Sequence, residues 1–472
     1  MGVIFVALST LALAVVAGAK VKDVVPVVML LMVFALGYRV LLSWRSALTT
    51  LILVVLFIPI RRYALPGNLP FQLEPYRLMV LLIGLGWFAS LLVDQRVRLR
   101  RTGFEGPMAM IVIAILASDI ANPGRVNGLS KDVAKTLTFS FSYFLVFYLM
   151  VSVIRSPELV ERFVKVLVGG GAVVAVAAIY EYRTGYNLFN HVADLVPVLK
   201  PSGPPIIPER GGRLRVYASS QHPIALGAAL VLLLPLAIYL ARTSGKKRWS
   251  LIGGLLLMGA LATLSRTGII MLIALLIVLV RLRPELKRLW PVIIPLLAVV
   301  HVALPNTLGS LTGSFHPKGG LVASEQVGKG TYGSGRLADL GPGLHEAKSR
   351  LLFGEGYGTR ITEWGRANAP ILDDQWLGTL LETGLLGLIS WIWLFGRAYR
   401  RLARRARDDP SPRGWLLAAL AACAVAFPIG MMTYDAFAFI QVNLMMYMLL
   451  AFGAILLALP EQPTTEVAAH AK

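Results

Sequence analysis

Cysteine is almost absent from this chain of 472 residues: Cys423 stands alone in the apolar run "LLAALAACAVAFPIG". One thiol excludes an internal disulfide framework and any metal site built from several cysteines. Charge is scarce as well, at 15% of residues, while 56% are hydrophobic and the mean hydropathy is +0.69. That balance excludes a soluble protein of several domains and predicts an all-α polytopic membrane protein. Acids are scarcer than bases, 25 against 46, giving a formal net charge of +21. Such an excess is compatible with nucleic acid, anionic lipid or an acidic substrate, so its distribution along the chain matters more than its sum. No internal repeat is visible. "EQVGKGT" lacks the spacing of a phosphate-binding loop, which removes nucleotide binding.

What the chain does have is long apolar runs. A helix needs about 20 apolar residues to cross a bilayer, and fourteen candidates fall near 2–19, 24–43, 46–60, 78–94, 108–122, 137–155, 162–181, 222–241, 250–264, 268–281, 288–304, 375–396, 414–432 and 436–459. The expected architecture is therefore about 12–14 transmembrane helices. The first run lacks a positive leading segment, so it reads as an uncleaved first helix rather than a signal peptide. The pair 250–264 and 268–281 is expected to be two helices, because "LSRTG" would otherwise set an arginine at mid-bilayer, at a cost of roughly 2.5–3.5 kcal/mol.

The expected organisation is helices through residue 304 with arginine-bearing loops at 182–221 and 265–267, a large loop at 305–374 holding short helices, C-terminal helices at 375–459, and a tail at 460–472. Basic loops at 95–101, 242–249, 281–288 and 397–413 all fall on one side of this layout, which the positive-inside rule assigns to the cytoplasm. The long loop then lies outside, together with arginines that topology does not explain. Guanidinium forks bind phosphate bidentately, so these external arginines point to an anionic substrate.

Four stretches on that external side carry the candidate chemistry. In "RGGRLRVYASSQHP", Arg213 and Arg215 precede a helix start at Pro223, and His222 disfavours helix before it. "TLSRTG" brings Ser265 and Arg266 to a polar break tolerated only beside a cavity or inside protein. The stretch "GSGRLADLGPGLHEAKSRLLFGEGYGTR" supplies Arg336 and Arg360, plus glycines whose N–H groups are candidates for anion binding. Last, "ILDDQWLGTLLETGLLG" places Asp373 and Asp374 before a helix with Gln375 and Glu382 on one face, and Gly384 and Gly387 as a packing seam. A helix cap explains one aspartate but not two. His316 and His345 are loop histidines able to serve as a base, and Asp119 and Asp435 stand at helix ends facing the same side.

In this order, the four stretches resemble the bacterial O-antigen ligase and O-antigen polymerase (Wzy-like) superfamily of C-type glycosyltransferases, most strongly from Glu181 to about Leu394. The resemblance implies a GT-C-like fold in the bacterial cytoplasmic membrane. It also implies metal-independent transfer, without a cofactor, of a glycan from an undecaprenyl-diphosphate carrier to an acceptor hydroxyl on the external face. The acceptor is then a second lipid-linked repeat unit in a polymerase, or lipid A core or another terminal acceptor in a ligase. Asp373, Asp374, Arg215 and Arg266 are the expected catalytic residues. Arg213, Arg336, His222, Ser265, Glu382, Gln375 and Arg360 are expected to bind substrate. The ligase branch usually opens its last signature with His-Asn or a similar pair, where this chain has Asp373-Asp374, and the departure favours the polymerase-like or an otherwise unassigned branch. A lipid-linked oligosaccharide flippase is the alternative from another class; it would need two related bundles, which the sequence does not display. Membrane lipids are expected partners and nucleic acid is not.

Overall fold

The computed structural model describes residues 43–66, 73–95, 97–203, 209–210, 213–305, 307–315, 337–362 and 366–459. The expected spans 2–19 and 24–43 and the tail 460–472 lie outside them. Compactness divides the chain into Met1–Ile52 and Leu53–Lys472. Of the first unit, only residues 43–52 are described.

The chain is an all-α polytopic membrane protein. Its principal helices are α1 (Trp44–Phe57), α2 (Pro75–Val93), α3 (Glu105–Ala121), α4 (Ser130–Val153), α5 (Pro157–Thr184), α6 (Pro223–Ser244), α7 (Lys247–Ala262), α8 (Arg266–Leu282), α9 (Trp290–Ala303), α10 (Gln375–Asp408), α11 (Pro412–Gly430) and α12 (Ile440–Ala458). Seven of these are long and apolar enough to cross a membrane: α2, α4, α5, α6, α10, α11 and α12. Two-stranded pairs are the only sheets among the described residues. Strand β1 (Tyr63–Ala64) pairs antiparallel with β2 (Lys200–Pro201), and β3 (Glu209–Arg210) with β4 (Arg213–Leu214).

Local sequence sets the helix limits. Ser156 caps α5 by accepting from the Leu159 N–H at 3.3 Å, Pro157 follows at the first helical position, and Gly185 ends the helix at φ +74°. His222 and Pro223 open α6 in the same way, and Gly245 closes it at φ +65°. The composition of α6 and α12 is apolar all round, and these two helices are buried on nearly every side at the centre of the second unit. Around them α5 and α7 cross closely: a Cβ on Gly259 would stand 2.9 Å from that of Ala175. The outer surface is apolar too, with Leu82, Leu85 and Phe88 of α2, Ile113 and Leu116 of α3, and Ile389 and Ile392 of α10 exposed. A helical bundle with this exterior is matched to lipid.

The basic loops meet at one end. There Arg397 and Arg401 donate to the carbonyls of Gly103 and Thr102, Arg283 donates to Asp409 O at 2.8 Å, and Arg242 and Arg283 both lie over the Trp415 ring. The basic loops of the sequence thus gather together, as their spacing predicts. The other end holds the candidate site.

Candidate functional site

Residues 215–222 are fixed from beneath by α5 and from the side by the segment after α1. Glu181, 1% exposed, accepts from the backbone N–H groups of Tyr217 at 3.4 Å and Ala218 at 2.8 Å. Arg62 donates to Ala218 O at 2.6 Å, Ser220 O at 3.1 Å and the Asn190 carboxamide oxygen, and its guanidinium lies 4.8 Å from the Tyr217 ring centroid. Burial holds Arg62 below its ordinary value. This frame delivers Arg215, 6% exposed, to the helix break between α7 and α8, where its Nε donates to Thr263 O at 3.2 Å. Arg213 stands in β4, two residues earlier.

The break itself forms as the sequence predicts, as two helices. Thr263 folds its hydroxyl back onto Ala260 O, Leu264 takes φ +50°, and the Ser265 hydroxyl caps α8 by accepting from Gly268 N at 3.3 Å. Ser265 is therefore occupied as a cap. Arg266 is the first residue of α8 and is partly buried. Across from it, Thr267 and Thr433 join their hydroxyls at 2.9 Å.

Thr433 belongs to residues 431–439, the turn between α11 and α12, and this turn is the hub of the site. Gln375 donates its backbone N–H to Met431 O at 2.8 Å and accepts from Phe437 N at 2.7 Å with its side chain. Trp376 Nε1 donates to Pro428 O at 2.8 Å, so the carbonyls left over at the end of α11 are taken by the start of α10. His222 caps α6 through Nδ1, which accepts from Ile224 N at 3.2 Å, and stacks on Phe439 at 5.6 Å. Ser220 donates to Gln441 Oε1 at 2.6 Å, and Gln221 to Ala438 O at 3.0 Å.

The two aspartates separate here. Asp374 is the cap of α10, accepting from Trp376 N at 2.8 Å and Leu377 N at 3.2 Å, and burial raises its pKa against those two bonds. Asp373 is partly exposed and lies within electrostatic range of Asp435. Asp435 is pushed up to about 6, chiefly by burial, against the opposing pull of Arg61 and the Ala438 N–H.

The glycine-rich turn docks on α10 instead of standing open. The helix breaks at Gly384, φ +64° and ψ −164°, and residues 351–356 enter the gap. Leu385 N donates to Leu351 O at 2.8 Å, and Glu355 N to Leu381 O at 2.8 Å. Ser118 donates to Glu382 O at 2.6 Å and accepts from Gly356 N at 3.1 Å, while Tyr357 N donates to an Asp119 oxygen at 2.7 Å. Gly354 N donates to Arg350 O. These N–H groups are spent inside the protein, which corrects the expectation that the turn binds an anion. Gly384 is correspondingly a helix break, not part of a packing seam: a Cβ there would come within 2.3 Å of the Leu352 carbonyl.

Arg360 pairs with Glu346 and lies 3.7 Å from Glu355. It also faces Glu382, which is within electrostatic range of Asp435 and Asp119. His345 is exposed in the short helix Leu340–Ala347. Arg336 and His316 lie outside the described residues.

Three of the four stretches thus meet around one turn, and the fourth docks on the broken helix that starts there. Three contributors were undervalued in the sequence. Glu181, an ionisable residue inside an apolar helix, carried the usual signal of a functional or organising group. Arg62 was visible only as one of several external arginines, and residues 431–439 only through Asp435.

Residues 251–392 match the family model for O-antigen ligase. The match spans the helix break at Ser265–Arg266, the glycine-rich turn and the Asp373–Glu382 segment, and it supports the O-antigen ligase and polymerase superfamily to which the motifs pointed. No match is found among curated proteins.

Proposed function

We propose, with the O-antigen ligase domain at residues 251–392 as premise, that this protein is a membrane glycosyltransferase of envelope polysaccharide assembly. It moves a glycan from undecaprenyl diphosphate to an acceptor hydroxyl, as a polymerase whose acceptor is a second lipid-linked repeat unit. The observation that carries this reading is that buried Arg215 bonds to the α7–α8 break, which Arg266 follows and which Thr267 ties to the 431–439 turn, where Asp435 lies within electrostatic range of Asp373.

Each residue has a chemical task in that reaction. The acceptor oxygen bonds to the anomeric carbon while the bond from that carbon to the diphosphate oxygen breaks, and the electron pair leaves on the lipid diphosphate. Arg215 and Arg266 offset the charge that grows there, and a guanidinium held in a low-dielectric setting is most effective in that role. Asp373 takes the acceptor proton, because Asp374 is committed to capping α10. Glu181 and Arg62 hold the Arg215 segment in position without touching substrate.

Purified protein given a synthetic undecaprenyl-diphosphate repeat unit, with chelator present, is expected to yield a ladder of lengths. Arg215→Ala and Asp373→Asn each remove the ladder, the latter by roughly 10²–10⁴ in rate, while Asp374→Asn, still a competent cap, keeps it. Transfer only after lipid A core is added makes the enzyme a ligase. Movement of intact donor across the membrane without any new glycosidic bond makes it a transporter.

A further inference from the structure

Two adjoining cavities open at the opposite, basic end, away from every residue assigned above. One, of about 310 Å³, is lined by Ile392, Trp393, Gly396, Arg397, Arg400 and Arg401. The other, of about 300 Å³, is lined by Arg400, Arg401, Arg404, Arg405, Asp408 and Leu457. From this surface we infer a binding site for an anionic phospholipid carrying two phosphodiester groups, as in diphosphatidylglycerol.

Helical spacing builds the site. Ile389, Trp393, Arg397, Arg400 and Arg404 recur every three or four residues and so form one face of α10. The first two are large exposed apolar side chains, 60% and 42% exposed, and the three arginines that follow are exposed too. This sequence of an apolar stripe, a tryptophan and a guanidinium cluster matches the order of acyl chain, interface and phosphate in a lipid.

Part of the cluster is already anchored. Arg397 and Arg401 donate to the carbonyls of Gly103 and Thr102, which orients them, whereas Arg400 and Arg404 make no ion pair among the described residues. Arg397 and Arg401 lie within electrostatic range of each other, and Glu105 is the acid facing Arg401. A diffuse basic surface would attract any anionic lipid equally. Here two cavities of similar size share Arg400 and Arg401, which fits two phosphates held a short distance apart by bidentate forks.

The test uses the full chain in phosphatidylcholine nanodiscs doped with either diphosphatidylglycerol or phosphatidylglycerol at matched total charge, with retained lipid read by native mass spectrometry. Wild type is expected to retain the two-phosphate lipid preferentially. Arg400→Ala combined with Arg404→Ala is expected to weaken that retention by about thirty-fold. Lys246→Ala with Lys247→Ala removes the same charge from another basic loop and is expected to leave it unchanged. Equal loss in both double variants, or equal retention of the two lipids by wild type, overturns the inference. If the alanine variant does not fold, Arg400→Lys with Arg404→Lys keeps the charge and removes the forks. Loss of the preference then supports the site, and an unchanged preference overturns it. Glycan transfer is not the readout, so failure of this inference leaves the proposed function standing, and the reverse also holds.

Discussion

At the scale of single residues, the acid pair shows what identity and position settle together. Asp373 and Asp374 are indistinguishable as letters, and a capping aspartate contributes about 1 kcal/mol whichever of them supplies it. Only the backbone decides: the Trp376 and Leu377 N–H groups point at Asp374, while Asp373 lies within electrostatic range of Asp435. Asp435 carries a consequence for stability. Its ordinary pKa is 3.8 and in the folded chain it stands near 6, so the folded protein binds the proton more tightly than the unfolded one. The stability linked to this group is complete below pH 3.8 and is lost as pH rises through about 6. Asp435→Asn should therefore raise the melting temperature relative to wild type at pH 8 and leave it nearly unchanged at pH 3.5, by thermal scans in detergent. The same difference at both values would mean that the carboxylate is not strained by burial.

At the scale of elements, helix starts and the α7–α8 break were readable because local chemistry fixes them. His222-Pro223 cannot continue a helix backward, and an arginine cannot sit cheaply at mid-bilayer. The break in α10 was not readable. A glycine among apolar residues serves a packing seam and a helix break equally well, and what decides for the break is a loop some thirty residues earlier that fills it. Gly384→Ala should be destabilising for two reasons, since its φ of +64° with ψ −164° is a region nearly confined to glycine and costs a residue with a Cβ roughly 1–3 kcal/mol, and the added atom meets the Leu352 carbonyl. Gly254→Ala, in α7 with nothing within 4 Å of the added atom, is the matched control and should gain up to about 1 kcal/mol from helix propensity. Comparing their melting temperatures checks the docking of the glycine-rich turn directly; equal shifts would mean that residues 351–356 are not seated in α10. The hub at 431–439 escaped the sequence for a similar reason. Its Thr433–Thr267 bond joins residues 166 apart, and no local pattern encodes a partner at that distance.

At the scale of the whole molecule, the charge pattern of the sequence becomes a division between two ends. Arginines at the basic end hold one another's loops through backbone carbonyls, and those at the other end do the same for the Arg215 segment through Arg62 while Arg360 pairs with Glu346. The positive-inside rule would set the first end in the cytoplasm and the second outside, the side on which the proposed transfer needs its donor. Because Cys423 is buried in α11, the native chain gives a low background for thiol labelling. Leu195→Cys, at an 84% exposed position of the site end, and Lys246→Cys, at the exposed turn between α6 and α7, report on opposite sides. A membrane-impermeant maleimide added to intact cells, or to spheroplasts where an outer membrane intervenes, should modify the first and not the second, and inverted vesicles should reverse the result. The opposite pattern would set Arg215 and Asp373 in the cytoplasm, facing away from a donor displayed outside, and the proposed transfer would then fail whatever the chemistry of its residues.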